Sequence, residues 1–217
     1  MRVVIAGGHG QIALHLEQML ADRGDLPVGI VRNPNYEGDL KQVGASTVVL
    51  DLENSSVEQI AEVVTGADAV VFSAGAGPGS GAARKLTVDR DAAILLADAA
   101  AAAGVRRYVM VSSYGADNHD PTSTDVFQVY LRAKSEADAA IRARDLDWTI
   151  VRPGGLTNTP GTGRVKIGES VGRGSIPRED VAAVILRTLE LPLTVGKQFE
   201  VIAGTTPILD ALAAFSA

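Results

Sequence analysis

The sequence has no cysteine in its 217 residues, which removes thiol nucleophiles, disulfides and cysteine-held metals together. Aromatic residues make up 4% of the chain, with a single tryptophan, too few and too scattered for a platform on which nucleobases stack. Cations are outnumbered, 20 lysines and arginines against 26 acidic residues for a net charge of −6. No general affinity for a nucleic-acid backbone is therefore expected. Long hydrophobic runs are missing too. The most apolar later stretch, 92–105, is interrupted by Asp98 and falls short of a membrane span. The opening MRVVIAG has too short an apolar segment for a signal peptide before its glycines begin. His15 and His119 lack partners at metal-ligand spacing, and Asp117, Asn118 and Asp120 lack the periodicity of a calcium loop. These absences lead us to expect a cytoplasmic protein without metal, nucleic-acid or membrane partners, acting on a small molecule as a monomer or homodimer.

What is present is an ordinary globular composition, 46% hydrophobic and 21% charged, of a length that makes one domain with a good core. Along it, short apolar strand patterns (3–6, 27–31, 46–52, 68–75, 106–113, 147–155 and 198–204) alternate with helical ones. The helices begin at residue 12 and continue at 57–67, 83–104, 126–145, 178–190 and 207–215. Such alternation predicts a parallel sheet covered by helices on both faces, an α/β fold over 1–217. The part after Pro153 is short, so 153–217 supplies a small substrate-side region rather than a separate domain. The loops 75–82, 114–125 and 153–164 follow the carboxyl ends of strands, where open sheets of this kind bind ligands.

The first strand runs into GGHGQIA, with Gly7, Gly8 and Gly10 placed before a helix. Both Gly8-x-Gly10-x-x-Ala13 and Gly7-x-x-Gly10-x-x-Ala13 fit a dinucleotide fingerprint. One glycine permits the tight turn, Gly10 lets the backbone approach a pyrophosphate, and Ala13 lets the helix lie close to the sheet. His9 is tolerated within the turn and counts with Gly7, Gly8, Gly10, Gln11 and Ile12 as the cofactor-binding stretch. Strand two ends at Arg32, roughly 20 residues past the glycines, where a carboxylate would bind a ribose hydroxyl. A guanidinium there suits a 2′-phosphate, so NADP(H) is preferred. NAD(H) stays open, because Glu37 and Asp39 follow closely. Asp51, with Leu52 after strand three, sits either where an adenine lies or as a turn aspartate.

A second constellation is Tyr130-Leu131-Arg132-Ala133-Lys134. One helical turn places the phenol and the ammonium on the same face. An ammonium there stabilises a phenolate, and such a tyrosine exchanges a proton with a substrate during hydride transfer. Ser112 and Ser113, at the end of strand five, offer hydroxyls that could polarise a carbonyl in the same cleft.

With GGHGQIA, VFSAG, RRYVMVSS, YLRAK and TIVRPGGL together, nearly the whole chain resembles the short-chain dehydrogenase/reductase superfamily, in its atypical branch of small NAD(P)-binding, epimerase-like and NmrA-like proteins. The resemblance implies a doubly wound, Rossmann-type sheet. By position it implies that Gly7, Gly10 and Ala13 hold the pyrophosphate, Arg32 the 2′-phosphate, and Asp51 and Leu52 the adenine. Ala74 and Gly75 would line the adenosine ribose, with Ser112 among the cofactor contacts. Ser113, Tyr130 and Lys134 would form the active site, Lys134 also touching the nicotinamide ribose, while Pro153 and Gly154 would border the nicotinamide ring. The expected activity is NADP-dependent hydride transfer to a small carbonyl, quinone or flavin-like acceptor. The alternatives are a redox sensor without turnover and a sugar epimerase or dehydratase.

Overall fold

Val3, Val4, Ile5 and Ala6 are all fully buried, as a run without polar alternation requires when both faces of a strand are covered. In the computed structural model, which describes residues 1–77 and 79–216, this run is the middle of a sheet. Pro78, within the expected loop 75–82, and Ala217 lie outside the described residues. The strands are β1 (Arg2–Ala6), β2 (Leu26–Val31), β3 (Ser46–Val49), β4 (Ala69–Phe72), β5 (Arg107–Val111) and β6 (Asp147–Pro153), then β7 (Gly155–Thr157), β8 (Arg164–Gly168), β9 (Ser175–Pro177), β10 (Lys197–Ala203) and β11 (Thr206–Pro207). Nine of them form one sheet in the order β11-β8-β10-β6-β5-β4-β1-β2-β3, and β7 pairs with β9 beside it. From β3 to β10 every neighbouring pair is parallel; β8 turns antiparallel against β10 and β11. This is a doubly wound sheet whose order reverses at β1, so a crevice opens at the carboxyl ends of β1 and β4.

The helices are α1 (Gln11–Asp22), α2 (Glu37–Gln42), α3 (Val57–Val64), α4 (Ala82–Arg84), α5 (Ala93–Ala102), α6 (Val126–Arg142), α7 (Arg178–Glu190) and α8 (Ile208–Ser216). One core packs α1, α7 and α8 against one sheet face through Leu16, Val181, Ile185 and Leu212. The other packs α3, α5 and α6 against the opposite face through Ile60, Leu96 and Ile141. Ala97, Ala99 and Ala100 are fully buried, so the alanine-rich stretch allows close approach between helices. The expected helix 83–104 is not uniform: Lys85–Ala92 is wound as a π-helix, a wider turn that recurs at functional sites. The expected third strand stops at Val49, because Asp51 caps a short 3₁₀ turn at Leu52–Asn54. The short strands around β8 had no sequence signal.

The β1–α1 turn is built on contact between backbones. Gly7 has φ +81°, and a Cβ there would stand 2.6 Å from the Ala74 Cα. A Cβ on Gly8 would stand 2.6 Å from the Gly29 Cα of β2. Beneath this contact lies Glu17 of α1, fully buried, with both carboxyl oxygens unpartnered among the described residues. Burial alone pushes its pKa up to about 8, because an unpaired charge has no solvation there.

Glu17 therefore makes stability depend on pH. Unfolded, it titrates near 4.5; folded, it keeps its proton until about 8. The folded state binds more protons between those values, so the stability present at acid pH is lost as pH rises toward 8. Glu17→Gln should match wild type near pH 5 and melt several degrees higher near pH 8.5, with each kcal/mol worth roughly 2–4 °C. Parallel curves of melting temperature against pH for the two proteins would refute this.

Candidate functional site

The turn after β1 is fastened from two sides. Ile30 O accepts from both Gly7 N (3.2 Å) and Gly8 N (3.0 Å), and Gly10 N donates to Gly7 O (2.8 Å). Gly10 then opens α1 with no side-chain cap and no acidic residue in the first turn. The first N–H groups of α1 and the positive end of its dipole are thus left for an external anion. Gly10, at this helix start, borders a cleft of about 270 Å³ between the ends of β1, β2, β3 and β4. Gly7, His9, Gly10 and Arg32 line it on one side; Asp51, Leu52, Ala74 and Gly75 line it on the other. Of the expected glycine-turn residues, Gly8 and Ile12 are buried behind the turn, and Gln11 is exposed beyond it, beside a second hollow against Thr157–Pro160. The uncapped helix, the exposed Gly10 and the apolar slot by Leu52 and Val88 fit a dinucleotide with its pyrophosphate on α1.

Other groups that shape this cleft gave no sequence signal. Tyr36 stacks on His9 with ring centroids 3.6 Å apart and planes 2° from parallel, while His9 Nε2 lies 2.8 Å from Asp39 Oδ2. The turn histidine is thus part of a flat wall. Arg32 is more than half exposed, with Nη1 3.5 Å from Glu53 Oε2. The same Glu53 takes a 2.7 Å hydrogen bond from Arg84 Nη2 and a 2.6 Å one from Thr87 Oγ1. The Arg84 hydrogen bond, more than any other influence, holds the Glu53 carboxyl below its ordinary value. Asp51 accepts from Glu53 N (3.1 Å) and Asn54 Nδ2 (2.7 Å), so it caps its turn and lines the cleft at once. Tyr36 and Glu53 come from short 3₁₀ turns without any periodic pattern, and Arg84 ends a helix whose pattern marks no cleft-facing position, which is why the sequence did not single them out.

Lys134 projects from α6 into the interior. It is 3% exposed; its Nζ donates to Val111 O at 3.1 Å and stands 3.5 Å from Asp89 Oδ1. Asp89, on the π-helix, accepts from Ala76 N at 3.3 Å through its other oxygen. The lysine is thereby joined through one carboxylate to the loop that carries Gly75 into the dinucleotide cleft. Tyr130 lies one turn earlier, its ring centroid 6.0 Å from Lys134 Nζ, 5.4 Å from Lys85 Nζ and 6.0 Å from the Phe127 ring. Ser113 donates to Tyr114 O at 3.3 Å, and no hydrogen bond among the described residues joins it to Tyr130 or Lys134. Ser112 instead gives its hydroxyl to Asp138 at 2.7 Å. Arg152 also binds Asp138 and forks onto Asp117, which it holds at about 2. Pro153 O receives Tyr114 N (3.0 Å), and Gly154 N donates to Val201 O (2.9 Å). These contacts tie the end of β6 to the loop after β5 and to β10, and neither residue lines the cleft of about 270 Å³.

Among the described residues no group of acidic, histidine or cysteine side chains is placed to hold a metal ion, and no helix is long and apolar enough to cross a membrane.

Residues 7–192 match the family described as NAD(P)H-binding. The chain is 38% identical over 213 residues to the "uncharacterized sugar epimerase YhfK" of Bacillus subtilis, covering 98% of this chain and 99% of that one. Among solved structures, a Bacillus halodurans protein assigned to the NAD-dependent epimerase/dehydratases superposes with a TM-score of 0.90 at 37% identity, covering 99% of both chains. The oxidoreductase ylbE of Lactococcus lactis superposes with a TM-score of 0.87 at 26% identity, covering 99% of this chain and 96% of that one. With the glycine turn, the strand order and these similarities in agreement, the chain belongs to the NAD(P)H-binding family.

Proposed function

We propose that the protein is an NADP-dependent oxidoreductase that transfers hydride to a small carbonyl, quinone or flavin-like acceptor. The observation that carries this is the line Tyr130–Lys134–Asp89–Ala76, which runs from a phenol to the backbone of the cofactor loop. The bound nicotinamide supplies the hydride. The chain supplies the rest. The N–H groups that open α1 receive the pyrophosphate, and Arg32 meets the 2′-phosphate at the rim. With a carbonyl acceptor, hydride reaches the carbon while the Tyr130 Oη proton passes to the oxygen, giving a hydroxyl. The Lys134 ammonium beside the Tyr130 ring favours the phenolate left behind. Asp89 and Val111 O hold that ammonium in place.

A second reading comes from the name of the Bacillus subtilis relative, a sugar epimerase. Its signature differs, because an epimerase oxidises and re-reduces one sugar and consumes no cofactor. Turnover of nucleotide sugars without net NADPH consumption would replace the oxidoreductase reading.

Three outcomes test the proposal. Gly10→Ala should fold, since its Cβ would meet only Gly7 O at 3.1 Å and Ser73 O at 3.7 Å, yet lose NADPH binding, because the methyl occupies the approach to the pyrophosphate. Wild type should bind NADPH about tenfold tighter than NADH, and Arg32→Ala should remove most of that preference; a tenfold ratio is about 1.4 kcal/mol, fitting one partly exposed charge-assisted contact. Tyr130→Phe should bind NADPH as wild type does and reduce a ketone or aldehyde about 10²–10⁴-fold more slowly, followed as loss of the reduced-ring absorbance. Full carbonyl reduction by Tyr130→Phe would withdraw the proton-donor role. No NADPH consumption by wild type with any acceptor would leave the sensor.

A further inference from the structure

The geometry points to Glu53 as the residue that sets how strongly this site prefers NADPH over NADH, by competing with the 2′-phosphate for Arg32. This rests on the role of Arg32 proposed above and adds a second group to it. Glu53 is the internal anion of the adenosine end of the cleft. Two short hydrogen bonds hold it, from Arg84 (2.7 Å) and Thr87 (2.6 Å). Its approach to Arg32 is longer, 3.5 Å.

The asymmetry matters. Glu53 is four-fifths buried and fastened to the start of the π-helix, so it stays where it is. Arg32 is the exposed partner, with 57% of its side chain in solvent, and it is free to swing. Its guanidinium therefore has two anions to choose between. One is the fixed Glu53 carboxylate, and the other is the 2′-phosphate of a bound nucleotide. A dianionic phosphate, with oxygens placed for a forked contact, attracts a guanidinium more strongly than a single carboxylate oxygen at 3.5 Å. Binding of NADPH then costs the Arg32–Glu53 approach and places a phosphate in the field of the carboxylate. Binding of NADH costs neither. Glu53 thus works against the phosphorylated cofactor, and Arg84 limits that opposition by neutralising most of the carboxylate's charge.

The test is a titration of NADPH and NADH against five forms of the protein, by calorimetry, with melting temperatures recorded alongside. Glu53→Gln removes the charge, keeps a carbonyl oxygen for Arg84 and turns an amide N–H toward the Thr87 hydroxyl, which can accept it. It should bind NADPH about three- to tenfold tighter than wild type and NADH within about twofold, a gain in keeping with release of one partly exposed ion pair and of a like-charge contact. In an Arg32→Ala background the selective gain should fall to about twofold or less. Arg84→Gln leaves Glu53 less neutralised and should weaken NADPH selectively. Unchanged NADPH affinity in Glu53→Gln would overturn the inference. So would an equal gain for both cofactors, which would mean that Glu53 only repels the shared pyrophosphate. So would a selective gain that persists undiminished without Arg32. Failure of the underlying reading looks different: Arg32→Ala alone would leave the wild-type NADPH/NADH ratio unchanged, and the competition would fall with it.

Discussion

Gly7 packs on Ala74 and Gly8 on Gly29 so closely that one added Cβ would stand 2.6 Å from the neighbouring Cα in either place. That approach draws the ends of β1, β2 and β4 together at the point where the strand order reverses. It also turns the chain sharply enough for α1 to start over the crevice, with its first N–H groups unclaimed. The two N–H groups donated to Ile30 O make the turn an extension of the sheet. The cleft, the arginines on its rim and the loop at Gly75 are all placed relative to this contact.

The molecule accepts buried charge around that centre. Lys134 and Asp89 are 3% and 1% exposed, and Arg152 and Asp138 are 5% and 0% exposed. Removing ions from water is costly, and a close pair recovers the cost only when hydrogen bonds satisfy the remaining atoms. Here they largely do: Lys134 also reaches Val111 O, Asp89 also holds Ala76 N, and Arg152 also forks onto Asp117. Each network ties a helix to the loop after a strand. Asp89 joins α6 to the loop after β4, and Arg152 joins β6 and α6 to the loop after β5. The polar interior is thus concentrated where loops must be positioned rather than where the fold is merely packed. Glu17 differs in that neither carboxyl oxygen has a partner among the described residues, and its burial raises its pKa.

The π-helix is the local irregularity that makes this possible. Lys85–Ala92 carries Asp89 inward, while Arg84 and Thr87 meet Glu53 at the cleft and Lys85 lies over the Tyr130 ring. One segment of irregular winding therefore touches the nucleotide rim, the buried lysine and the candidate proton donor.

What the sequence determined by itself follows from periodicity and from glycine. Apolar runs such as Val3–Ala6 can only be strands covered on both faces, and the helical patterns between them force parallel crossovers. Gly7, Gly8 and Gly10 between a strand and a helix mark a turn that admits no side chains. Tyr130 and Lys134 share a helix face because they are one turn apart. Only the tertiary structure decided which charges meet, because those partners lie far apart in the chain. Glu53 finds Arg84, Asp89 finds Lys134, Ser112 gives its hydroxyl to Asp138, and Tyr36 stacks on His9. No local pattern encodes such pairs: each arises where the fold brings segments distant in the chain together.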